Sequence, residues 1–507
     1  MAEMKHYTLG EYVKLLEEKG MLAEYDLQGK DGEEIKLLTY DSREVTQGTL
    51  FICKGAAFKA EYLKNSMNQG AVCYVSEKKY ELEKEVPYIL VKGIRDAMAV
   101  LANFFYNKPW EDLAVIGFGG TKGKSTSTYY MKAVVDDYLA AQDKPESAVI
   151  STIDIYDGKS KVESHITTPE AVELQMHLRN ALDCNIEYAE MEISSQALKY
   201  GRVDEMQFDV SVFLNISEDH ISPIEHPDFE DYFQSKMKMF EKSKTAVVNL
   251  DADYIDQILE ASKAAGEVVT FSTKNPKADY YAYNIHKEGK DIHFSVKCEA
   301  FDEEFVLTMP GFFNVENALG VVAASVKLGI PTEYIHSGLR RARSSGRMEF
   351  YHSKDHEVMA IVDYAHNKLS FEKLFSAMKE EFPDYGLVAI FGCPGKKSLL
   401  RRKYLGTIAG QYSKMVYLVA EDPGYEPVED ISKEIAQYVE AQNCPYKMIE
   451  DRGEAIKDAI ETAEGKTLLL VTGKGAETRQ KYGCEYLDCP SDVEYVQRYL
   501  AEYDSRH

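Results

Sequence analysis

The stretch of sequence that decides the fold reads Gly120-Thr121-Lys122-Gly123-Lys124-Ser125-Thr126. The apolar residues 113–116 precede it and predict a buried strand, and residues 127–135 follow it with the pattern of a helix. A strand, a glycine-rich turn and a helix in this order form a cradle for phosphate groups, because glycines let backbone N–H groups close on phosphate oxygens. The lysine of such a loop faces the terminal phosphates, and the hydroxyl after it ligates Mg²⁺. The sequence therefore predicts a nucleoside triphosphate site; a turn that merely caps a helix is the alternative.

The length and the charge of the chain limit its class. A chain of 507 residues is too long for one hydrophobic core and predicts about three domains. The net charge of −25 argues against general nucleic-acid binding, and it requires that local clusters of Lys and Arg bind any anionic substrate. Eight scattered cysteines without a CxxC pair are typical of reduced thiols in a cytosol, and we find no apolar run that could span a membrane. We therefore expect a cytoplasmic protein with no membrane insertion and no nucleic-acid partner.

Three parts of the chain differ in their pattern of strands and helices. Residues 1–108 mix short strands and helices, and an Asn-Lys-Pro boundary follows them. Residues 109–344 open with the phosphate loop, defined as residues 120–126, and then alternate strand and helix as a doubly wound α/β domain does. Residues 345–507 carry four apolar runs that end in polar or glycine-rich residues. Because parallel sheets hold ligands at the carboxyl ends of their strands, we expect a Rossmann-like α/β domain with its own ligand site there.

Two acidic positions follow predicted strands of the central part. Glu192 closes a predicted strand at residues 188–193, and Asp219-His220 follows another. A carboxylate at the end of a strand beside a phosphate loop completes the shell of a bound Mg²⁺ ion, and the Asp219-His220 pair offers ligands for a second metal ion. An ordinary surface glutamate is the alternative interpretation of Glu192.

Lys236 occupies an unusual position. In a helix over residues 229–240, a rotation of about 100° per residue places Lys236 on the same face as Phe229, Phe233 and Phe240. A lysine on the buried face of a helix is unfavourable unless it is paired or neutralised. The alternative is a lysine whose apolar stem packs while its amine reaches solvent.

A basic cluster follows the predicted strand at residues 387–391. Carboxylate or phosphate recognition is one reading of such a cluster in a strongly acidic protein, and a solvated loop is the other. The cluster consists of Lys396, Lys397, Arg401, Arg402 and Lys403.

Further motifs run in order along the whole chain. Besides the phosphate loop, they are Asp41-Ser42-Arg43, Thr167-Thr168-Pro169, Glu192-Ile193-Ser194-Ser195-Gln196, Asp219-His220, Gly311-Phe312-Phe313-Asn314-Val315-Glu316-Asn317, Gly346-Arg347-Met348-Glu349, Asp363-Tyr364-Ala365-His366-Asn367 and Gly473-Lys474-Gly475-Ala476-Glu477. Together they resemble the Mur ligases, ATP-dependent amide-forming enzymes of peptidoglycan precursor synthesis. The first two motifs of this list are similar to the branch that adds the third amino acid of the stem peptide. Residues 218–227 and 422–426 look like the L-lysine-adding enzymes of Gram-positive bacteria.

The resemblance implies a defined reaction. ATP phosphorylates the carboxylate of UDP-N-acetylmuramoyl-L-alanyl-D-glutamate, and the amine of L-lysine then attacks the acyl phosphate. Such chemistry depends on positioning and charge neutralisation, because a triphosphate and a carboxylate repel each other without Mg²⁺ and lysines. By resemblance, residues 1–108 bind the UDP substrate, residues 109–344 bind ATP and residues 345–507 bind the amino acid, in an enzyme expected to be a monomer.

The resemblance also implies roles for individual residues. Lys124 would hold the β- and γ-phosphates, and Lys236 would be carbamylated by CO₂ to give an anionic metal ligand. The other implied metal ligands are Ser125, Thr126, Glu192 and His220. The implied ATP contacts are Gly120, Thr121, Lys122, Gly123, Lys124, Ser125, Thr126, Asn314, Asn317, Arg347 and Asp363. The implied contacts to the UDP substrate are Ser42, Thr167, Thr168, Ser194 and Arg202.

One local departure bears on the amino acid that is added. Enzymes that add meso-diaminopimelate carry Asp-Asn-Pro-Arg where this chain has Glu421-Asp422-Pro423-Gly424, so the arginine that would bind a second carboxylate is missing. We expect Arg402 to pair with the carboxylate of L-lysine. The carboxylates available for its side-chain ammonium are Asp422, Glu426 and Glu477.

Several alternatives remain beside this interpretation. The same ligation with meso-diaminopimelate or another diamino acid is one, and a ligase similar to folylpolyglutamate synthase is another. The opening Asp-Ser-Arg domain disfavours the latter, because that class begins near its phosphate loop. A catalytically idle nucleotide-binding protein is the third, and it is disfavoured by the presence of Lys124, Glu192, His220 and Lys236.

Overall fold

The structure is a computed structural model that describes residues 4–55, 58–164, 166–219, 221–222, 225–344, 346–396 and 399–507. Within these residues, the strands form three large sheets and a separate hairpin, and each large sheet draws on one continuous part of the chain. This confirms the predicted architecture of three consecutive α/β parts. The predicted metal ligand His220 and the basic residue Lys397 lie outside the described residues.

The amino-terminal sheet is mixed. Its strands lie in the order β1-β5-β4-β3-β2, with β1 antiparallel to β5 and the other neighbours parallel. The strands are β1 (Leu22–Asp26), β2 (Leu37–Thr39), β3 (Thr49–Ile52), β4 (Ala71–Ser76) and β5 (Tyr88–Val91). The helices of this part are α1 (Leu9–Glu18), α2 (Ala60–Gln69) and α3 (Ile94–Phe105).

The central sheet has the order β16-β15-β14-β13-β12-β11-β6-β10-β7-β8-β9. Its strands are β6 (Ala114–Gly119), β7 (Ala148–Ile150), β8 (Asp154–Tyr156), β9 (Lys161–Glu163), β10 (Tyr188–Glu192), β11 (Phe208–Phe213), β12 (Ser243–Asn249), β13 (Glu267–Ser272), β14 (Tyr280–Glu288), β15 (Asp291–Lys297) and β16 (Asp302–Leu307). The helices are α4 (Lys124–Ala140), α5 (Ala171–Asp183), α6 (Ser195–Lys199), α7 (Phe229–Met237), α8 (Ile255–Ser262), α9 (Phe313–Lys327) and α10 (Thr332–Arg341), with 3₁₀ turns at Pro109–Asp112 and Phe240–Lys242.

Helices cover both faces of the central sheet. Along β6, Ile116 and Phe118 belong to a core that includes residues of α4, α9 and α10, whereas Val115 belongs to a second core with residues of α5 to α8. Successive side chains of a strand point to opposite faces, so β6 is buried on both sides. This explains why its sequence is a continuous apolar run, and it confirms the predicted doubly wound arrangement. The run predicted to be a strand extends further than expected, to Gly119.

Antiparallel strands at both edges of the central sheet were not predicted. At one edge β15 pairs antiparallel with both β14 and β16, and at the other β8 pairs antiparallel with β7 and β9. Strand β9 is exposed throughout, and buried and partly buried residues alternate along β15. Neither strand carries the continuous apolar run on which the other predictions rested.

The carboxyl-terminal sheet has the order β17-β18-β22-β19-β20-β21, with β17 antiparallel to β18 and the other pairs parallel. Its strands are β17 (Glu349–His352), β18 (Val358–Asp363), β19 (Gly386–Phe391), β20 (Met415–Leu418), β21 (Tyr446–Met448) and β22 (Thr467–Thr472). A hairpin of β23 (Arg479–Tyr482) and β24 (Glu485–Asp488) stands beside it. The helices are α11 (Lys368–Glu381), α12 (Leu400–Tyr412), α13 (Val428–Glu440), α14 (Arg452–Glu461) and α15 (Asp492–Arg506).

Candidate active site

The phosphate loop joins the end of β6 to the start of α4. Gly120 and Gly123 have φ angles of +137° and +86°, which favour glycine. A Cβ atom on Gly123 would lie 2.2 Å from Oδ1 of Asn317, so the close approach of α9 also requires glycine there. Asn215, after β11, binds the backbone of the loop at Lys122. Its Oδ1 accepts from the Lys122 amide at 2.8 Å, and its Nδ2 donates to the Lys122 carbonyl at 3.0 Å. The loop is thus held by side chains from two neighbouring elements.

Buried lysines converge on this loop. Lys124 Nζ donates to the carbonyl oxygens of Gly120 and Thr121, both at 3.1 Å, and Lys236 Nζ donates to the same Gly120 oxygen at 2.8 Å. Lys236 is 2% exposed, in agreement with its predicted position on the apolar face of α7. Burial lowers the pKa of Lys124 and, aided by the positive charge of Lys124, lowers that of Lys236 well below its ordinary value. The region is therefore prepared to bind an anion.

A third lysine is paired. Lys122 Nζ lies 3.3 Å from Oδ2 of Asp219, and burial lowers the pKa of Lys122 to about 8 although the Asp219 carboxylate opposes this. Asp219 also accepts a hydrogen bond from Nδ2 of Asn367, which precedes α11. The carboxylate of Asp219 thus links the phosphate loop to the carboxyl-terminal part.

Glu192 lies at the carboxyl end of β10, directly beside β6, and is 1% exposed. Its carboxylate accepts hydrogen bonds from the backbone N–H of Thr152 at 2.8 Å and from the Thr152 hydroxyl at 3.1 Å. The Thr152 hydroxyl also lies 3.1 Å from that of Thr167. Over the described ranges, which omit His220, no group of three or more His, Cys, Asp or Glu side chains is placed to hold a metal ion. A Mg²⁺ ion needs only one or two protein carboxylates when substrate phosphates supply further oxygens, and the Glu192 carboxylate with a hydroxyl of Ser125 or Thr126 fits that donor set.

The predicted contacts to the UDP substrate form a cluster beside Glu192, apart from Ser42. The Thr168 hydroxyl donates to the Glu192 carbonyl at 2.9 Å and accepts from the Ser194 amide at 3.0 Å. Arg202 donates to the Thr168 carbonyl at 3.1 Å and pairs with Glu170 at 2.8 Å. Ser42 lies in the turn after β2, in the amino-terminal part.

Side chains from the amino-terminal part reach this cluster. Lys54 Nζ lies 2.7 Å from the Glu170 carboxylate, and the Tyr40 hydroxyl donates to Glu173 at 2.5 Å. None of these four residues was predicted, because ion pairs between distant parts of a chain leave no local pattern. They mark a contact between the segments after β2 and β3 and the start of α5.

The predicted ATP contacts come together across the boundary between the central and carboxyl-terminal parts. Asn317 Nδ2 donates to Oδ1 of Asn314 at 3.1 Å, and Arg347 Nη2 donates to the Ser125 hydroxyl at 3.1 Å. Asp363 accepts from the backbone amide of Met348 at 2.9 Å, and burial raises its pKa. A cleft lined by Asn317, Arg347, Met348 and Asp363 runs along this boundary, and it is also lined by Lys122, Gly123, Thr126, Phe313, Tyr364 and His366.

The residues predicted to bind the amino acid fall into two ion-pair groups. Lys474 Nζ lies 3.1 Å from Oδ1 of Asp422 and 2.5 Å from Oε2 of Glu477, and Lys474 is 3% exposed. We call Asp422, Lys474 and Glu477 the acidic pocket. Arg402 is 1% exposed and is bound by Glu426, at 2.7 and 2.9 Å, and by Glu434 at 2.5 Å. The expected contact of Arg402 with a substrate carboxylate would therefore require an exchange of partners, and it stays a prediction.

Comparisons with known proteins agree with this geometry. The sequence profile of the Mur ligase middle domain matches residues 119–325, and that of the Mur ligase glutamate ligase domain matches residues 346–475. The UDP-N-acetylmuramoyl-L-alanyl-D-glutamate--L-lysine ligase of Enterococcus faecalis is 38% identical over 456 residues, 88% of each chain. The UDP-N-acetylmuramyl-tripeptide synthetase of Lactobacillus acidophilus is 31% identical over 519 residues, 98% of each chain. The chain belongs to the Mur ligase family.

The fold agrees as well. A solved UDP-N-acetylmuramoyl-L-alanyl-D-glutamate--2,6-diaminopimelate ligase superposes with a TM-score of 0.66 over 99% of this chain and 100% of that one, at 22% identity. Within the part of the chain that the structure describes, none of the helices of this Mur ligase combines the length and the apolar character needed to cross a membrane.

Two supports of the Mur ligase site were not predicted from sequence. The first support is a hydrogen-bond network that stabilises the start of α7, the helix that carries Lys236. His226 lies between the Ser195 hydroxyl, 2.9 Å from its Nε2, and the Asp231 carboxylate, 2.6 Å from its Nδ1, and Lys199 also binds Asp231 at 2.6 Å. This network connects the segment after Glu192 to the first turn of α7.

The second support is the hairpin β23–β24, which forms a wall of the acidic pocket. The Gln480 side chain accepts from the Asp422 amide at 2.8 Å and donates to the Ala420 carbonyl at 2.9 Å, and the Lys481 amide donates to the Asp422 carboxylate at 2.9 Å. Next to it, the Glu421 carboxylate lies over Gly473, where a Cβ atom would come within 2.2 Å of Oε2. Burial raises the pKa of Glu421 to about 7. The glycine-centred turn at Gly483 was the available sequence signal for this hairpin.

Proposed function

We propose that this Mur ligase adds L-lysine to the D-glutamate of UDP-N-acetylmuramoyl-L-alanyl-D-glutamate, with ATP, in the cytoplasmic synthesis of peptidoglycan precursors. The observation that carries the proposal is the acidic pocket, in which Asp422 and Glu477 already bind a primary ammonium group, that of Lys474. The side chain of L-lysine ends in the same group. The name of the relative from Enterococcus faecalis supports L-lysine, and that of the relative from Lactobacillus acidophilus supports the synthesis of a tripeptide.

The residue at position 424 supports lysine over meso-diaminopimelate. The second carboxylate of meso-diaminopimelate needs a cation, and Gly424 offers none where the resemblance places an arginine. Enclosing a carboxylate without a partner costs on the order of several kcal/mol. This is enough for about a thousandfold discrimination of L-lysine from meso-diaminopimelate.

In this proposal the first step takes place at the phosphate loop. Its backbone amides and Lys124 bind the triphosphate, and Asn314, Asn317, Arg347 and Asp363 bind the remainder of the nucleotide. Thr167, Thr168, Ser194 and Arg202 bind the acceptor peptide beside Glu192, and Ser42 binds the uridine end. The lysines of the loop lower the repulsion between the triphosphate and the acceptor carboxylate.

We also propose that Mg²⁺ is the metal cofactor, held by Glu192 with Ser125 or Thr126 and, from outside the described residues, by His220. When bound, Mg²⁺ neutralises the charge of the transferring phosphoryl group. Lys236 is proposed to carry a carbamate. Its amine is enclosed, donates to a neutral carbonyl oxygen and has a lowered pKa, which favours the neutral form that reacts with CO₂.

The remaining features of the proposal concern the whole molecule. We propose domain limits at residues 1–108, 109–344 and 345–507, a monomer, and rotation of the third domain towards ATP about a hinge near residues 344–346. The contacts of Arg347 with Ser125 and of Asn367 with Asp219 support an arrangement in which the second and third domains meet at the nucleotide.

The proposal is tested by ligation with purified UDP-muramoyl dipeptide and a panel of amino acids, with phosphate release as the readout. We expect kcat/KM to be highest for L-lysine, lower by roughly 10- to 200-fold for ornithine, and lower by about a thousandfold for meso-diaminopimelate. Asp422→Asn should lower kcat/KM for L-lysine, whereas Glu485→Gln, on the exposed strand β24, should not. A preference for meso-diaminopimelate, or phosphate release that needs no amino acid, would contradict the proposal.

A further inference from the structure

A series of side-chain contacts joins the phosphate loop to the acidic pocket. Arg347, which donates to the Ser125 hydroxyl, lies with its guanidinium carbon 4.4 Å from the centre of the Tyr364 ring. The hydroxyl of Tyr364 donates to Oε1 of Glu477 at 2.6 Å, and the other oxygen of Glu477 is bound by Lys474. Tyr364 therefore contacts one residue that reaches the nucleotide site and one that belongs to the amino-acid site.

We propose that Tyr364 is a positioning residue that couples the binding of nucleotide to the binding of the amino acid. Its ring orients Arg347 towards the phosphate loop, and its hydroxyl orients Glu477 towards the ammonium group of the incoming amino acid. The inference rests on the proposed function, since it takes the acidic pocket as the site of that ammonium.

Both contacts of Tyr364 are of strong and directional types. A guanidinium over an aromatic face is attracted by the ring quadrupole, and it keeps its N–H groups free for other acceptors in its plane. A hydroxyl that donates to a carboxylate makes a charge-assisted bond, which is stronger than a neutral one. Burial raises the pKa of Tyr364 well above its ordinary value, so the hydroxyl remains a donor.

Glu477 is held at both oxygens, by Tyr364 and by Lys474. Each carboxylate oxygen accepts more than one hydrogen bond, so the remaining lone pairs of Glu477 can receive a further ammonium group in a fixed direction. Without the Tyr364 hydroxyl, one oxygen of Glu477 would lose its orientation. The amino-acid site would then have to order this carboxylate at the moment of binding.

The backbone makes the two ends of this series move together. A Cβ atom on Gly346 would lie 2.4 Å from the amide nitrogen of Ala476, so the segment before Arg347 packs directly on the loop that carries Glu477. The same loop leads to Thr478, whose hydroxyl donates to Glu163 of the central sheet at 2.8 Å. A nucleotide that draws Arg347 to the phosphate loop therefore also fixes the acidic pocket.

The test is Tyr364→Phe, which keeps the ring under Arg347 and removes only the hydroxyl. L-lysine is titrated calorimetrically into the full-length protein, with and without a non-hydrolysable ATP analogue. For the wild type we expect the analogue to raise the affinity for L-lysine by a factor in the usual range of roughly 5- to 150-fold, and for Tyr364→Phe we expect this factor to fall to about one. In steady state, KM for L-lysine should rise by about 10- to 100-fold, the effect of a lost hydrogen bond to a charged group, while the affinity for the ATP analogue measured without L-lysine stays unchanged.

Two further variants separate coupling from simple damage. Tyr351→Phe removes a hydroxyl that donates to Glu349 in the same part of the chain, and it should leave the coupling factor unchanged. In a Glu477→Gln background, Tyr364→Phe should have little additional effect on KM for L-lysine, because the hydroxyl acts through that carboxylate.

An equal coupling factor in the wild type and Tyr364→Phe, or additive effects of Tyr364→Phe and Glu477→Gln, would overturn the inference. Failure of the proposed function has a different signature, since the wild type would then show no phosphate release that depends on L-lysine.

Discussion

Two buried lysines at the phosphate loop, Lys124 and Lys236, have partners of a different kind from those of the buried cations in the carboxyl-terminal part. Lys124 and Lys236 donate to backbone carbonyl oxygens of the loop itself. Arg402, Arg452 and Lys474 are instead bound by carboxylates at 2.5–3.1 Å. Lys124 thus offers a positive charge that an anionic ligand can neutralise, and the lowered pKa of Lys236 favours its neutral amine. The cations of the carboxyl-terminal part are already neutralised by the protein.

Because of this difference, the two kinds of buried cation contribute unequally to the stability of the fold and to the binding of ligands. A lysine held by neutral carbonyls contributes little to folding, because its desolvation is not repaid by an opposite charge. It contributes strongly to the binding of a triphosphate, to which it offers a free charge in a region of low dielectric. A cation that is already paired stabilises the fold and positions its carboxylates, and it attracts a new ligand much less.

The largest effect should follow from breaking a paired cation. Arg452 is 6% exposed, binds Asp492 at 2.6 and 2.9 Å, and donates to the Thr472 carbonyl at 2.9 Å. Arg452→Met leaves the Asp492 carboxylate buried without its partner, so we expect a loss of about 3–5 kcal/mol in the free energy of unfolding. Calorimetric melting of the full chain should show it, with Arg506→Met, in a pair whose arginine side chain is 53% exposed, as the control. A loss of unfolding free energy as small as that of Arg506→Met would contradict the expectation that buried, paired cations stabilise the fold.

The next effect concerns an unpaired cation of the phosphate loop. Lys124→Met should lower kcat/KM by about 10²- to 10³-fold, roughly 2.7–4 kcal/mol of transition-state stabilisation, because it removes a charge from the transferring phosphoryl group. Stability should change little, since Lys124 binds only carbonyl oxygens. Acyl-phosphate formation and calorimetric binding of the UDP substrate check this, and Lys144→Met, beyond the far end of α4, serves as the control. Equal loss of ATP and UDP-substrate binding would argue against separate sites for the two.

The same contrast explains how much of these two regions could be predicted from the sequence. The strand, glycine turn and helix that form the phosphate loop were predicted, because they depend on residues that are consecutive in the chain and on a strand whose apolar run is continuous. Helical spacing placed Lys236 on the apolar face of its helix but left open whether its amine reaches solvent. What could not be predicted is the partner of each lysine, since a backbone carbonyl oxygen leaves no mark in the sequence.

The carboxylates predicted for the ammonium were Asp422, Glu426 and Glu477, and of these Glu426 binds Arg402 instead of joining the acidic pocket. Asp422 and Glu477 were expected to await a substrate ammonium, but Lys474, which is 52 residues from Asp422, already binds both. The wall of the pocket was missed, because β23 and β24 consist mainly of polar and charged residues without apolar alternation. No role for Tyr364 could be predicted, since its contacts reach residues that are 17 and 113 positions away.

The smallest expected change in stability comes from Lys236, and it tests most directly whether a lysine bound only by carbonyl oxygens contributes to folding. Lys236→Met replaces the enclosed amine by an apolar side chain of similar shape. The Gly120 carbonyl keeps the hydrogen bond from Lys124, so no buried acceptor is left without a donor. In CO₂-depleted, Mg²⁺-free buffer we therefore expect stability to change by less than about 1 kcal/mol, in the stabilising direction. In buffer that contains Mg²⁺ and bicarbonate, we expect ligation activity to be lost in this variant and kept in the wild type.

Melting temperature measures the expected change in stability, and phosphate release measures the expected loss of ligation activity. Lys238→Met provides the matched control, because Lys238 is exposed at the end of the same helix and should affect neither quantity. Lys236→Ala, which leaves space beside the loop, should lose most activity and regain part of it with acetate if a carbamate is the working form. A drop in stability as large as that of Arg452→Met would mean that Lys236 is neutralised by the fold after all. The two regions would then differ in their residues but not in the way they hold charge.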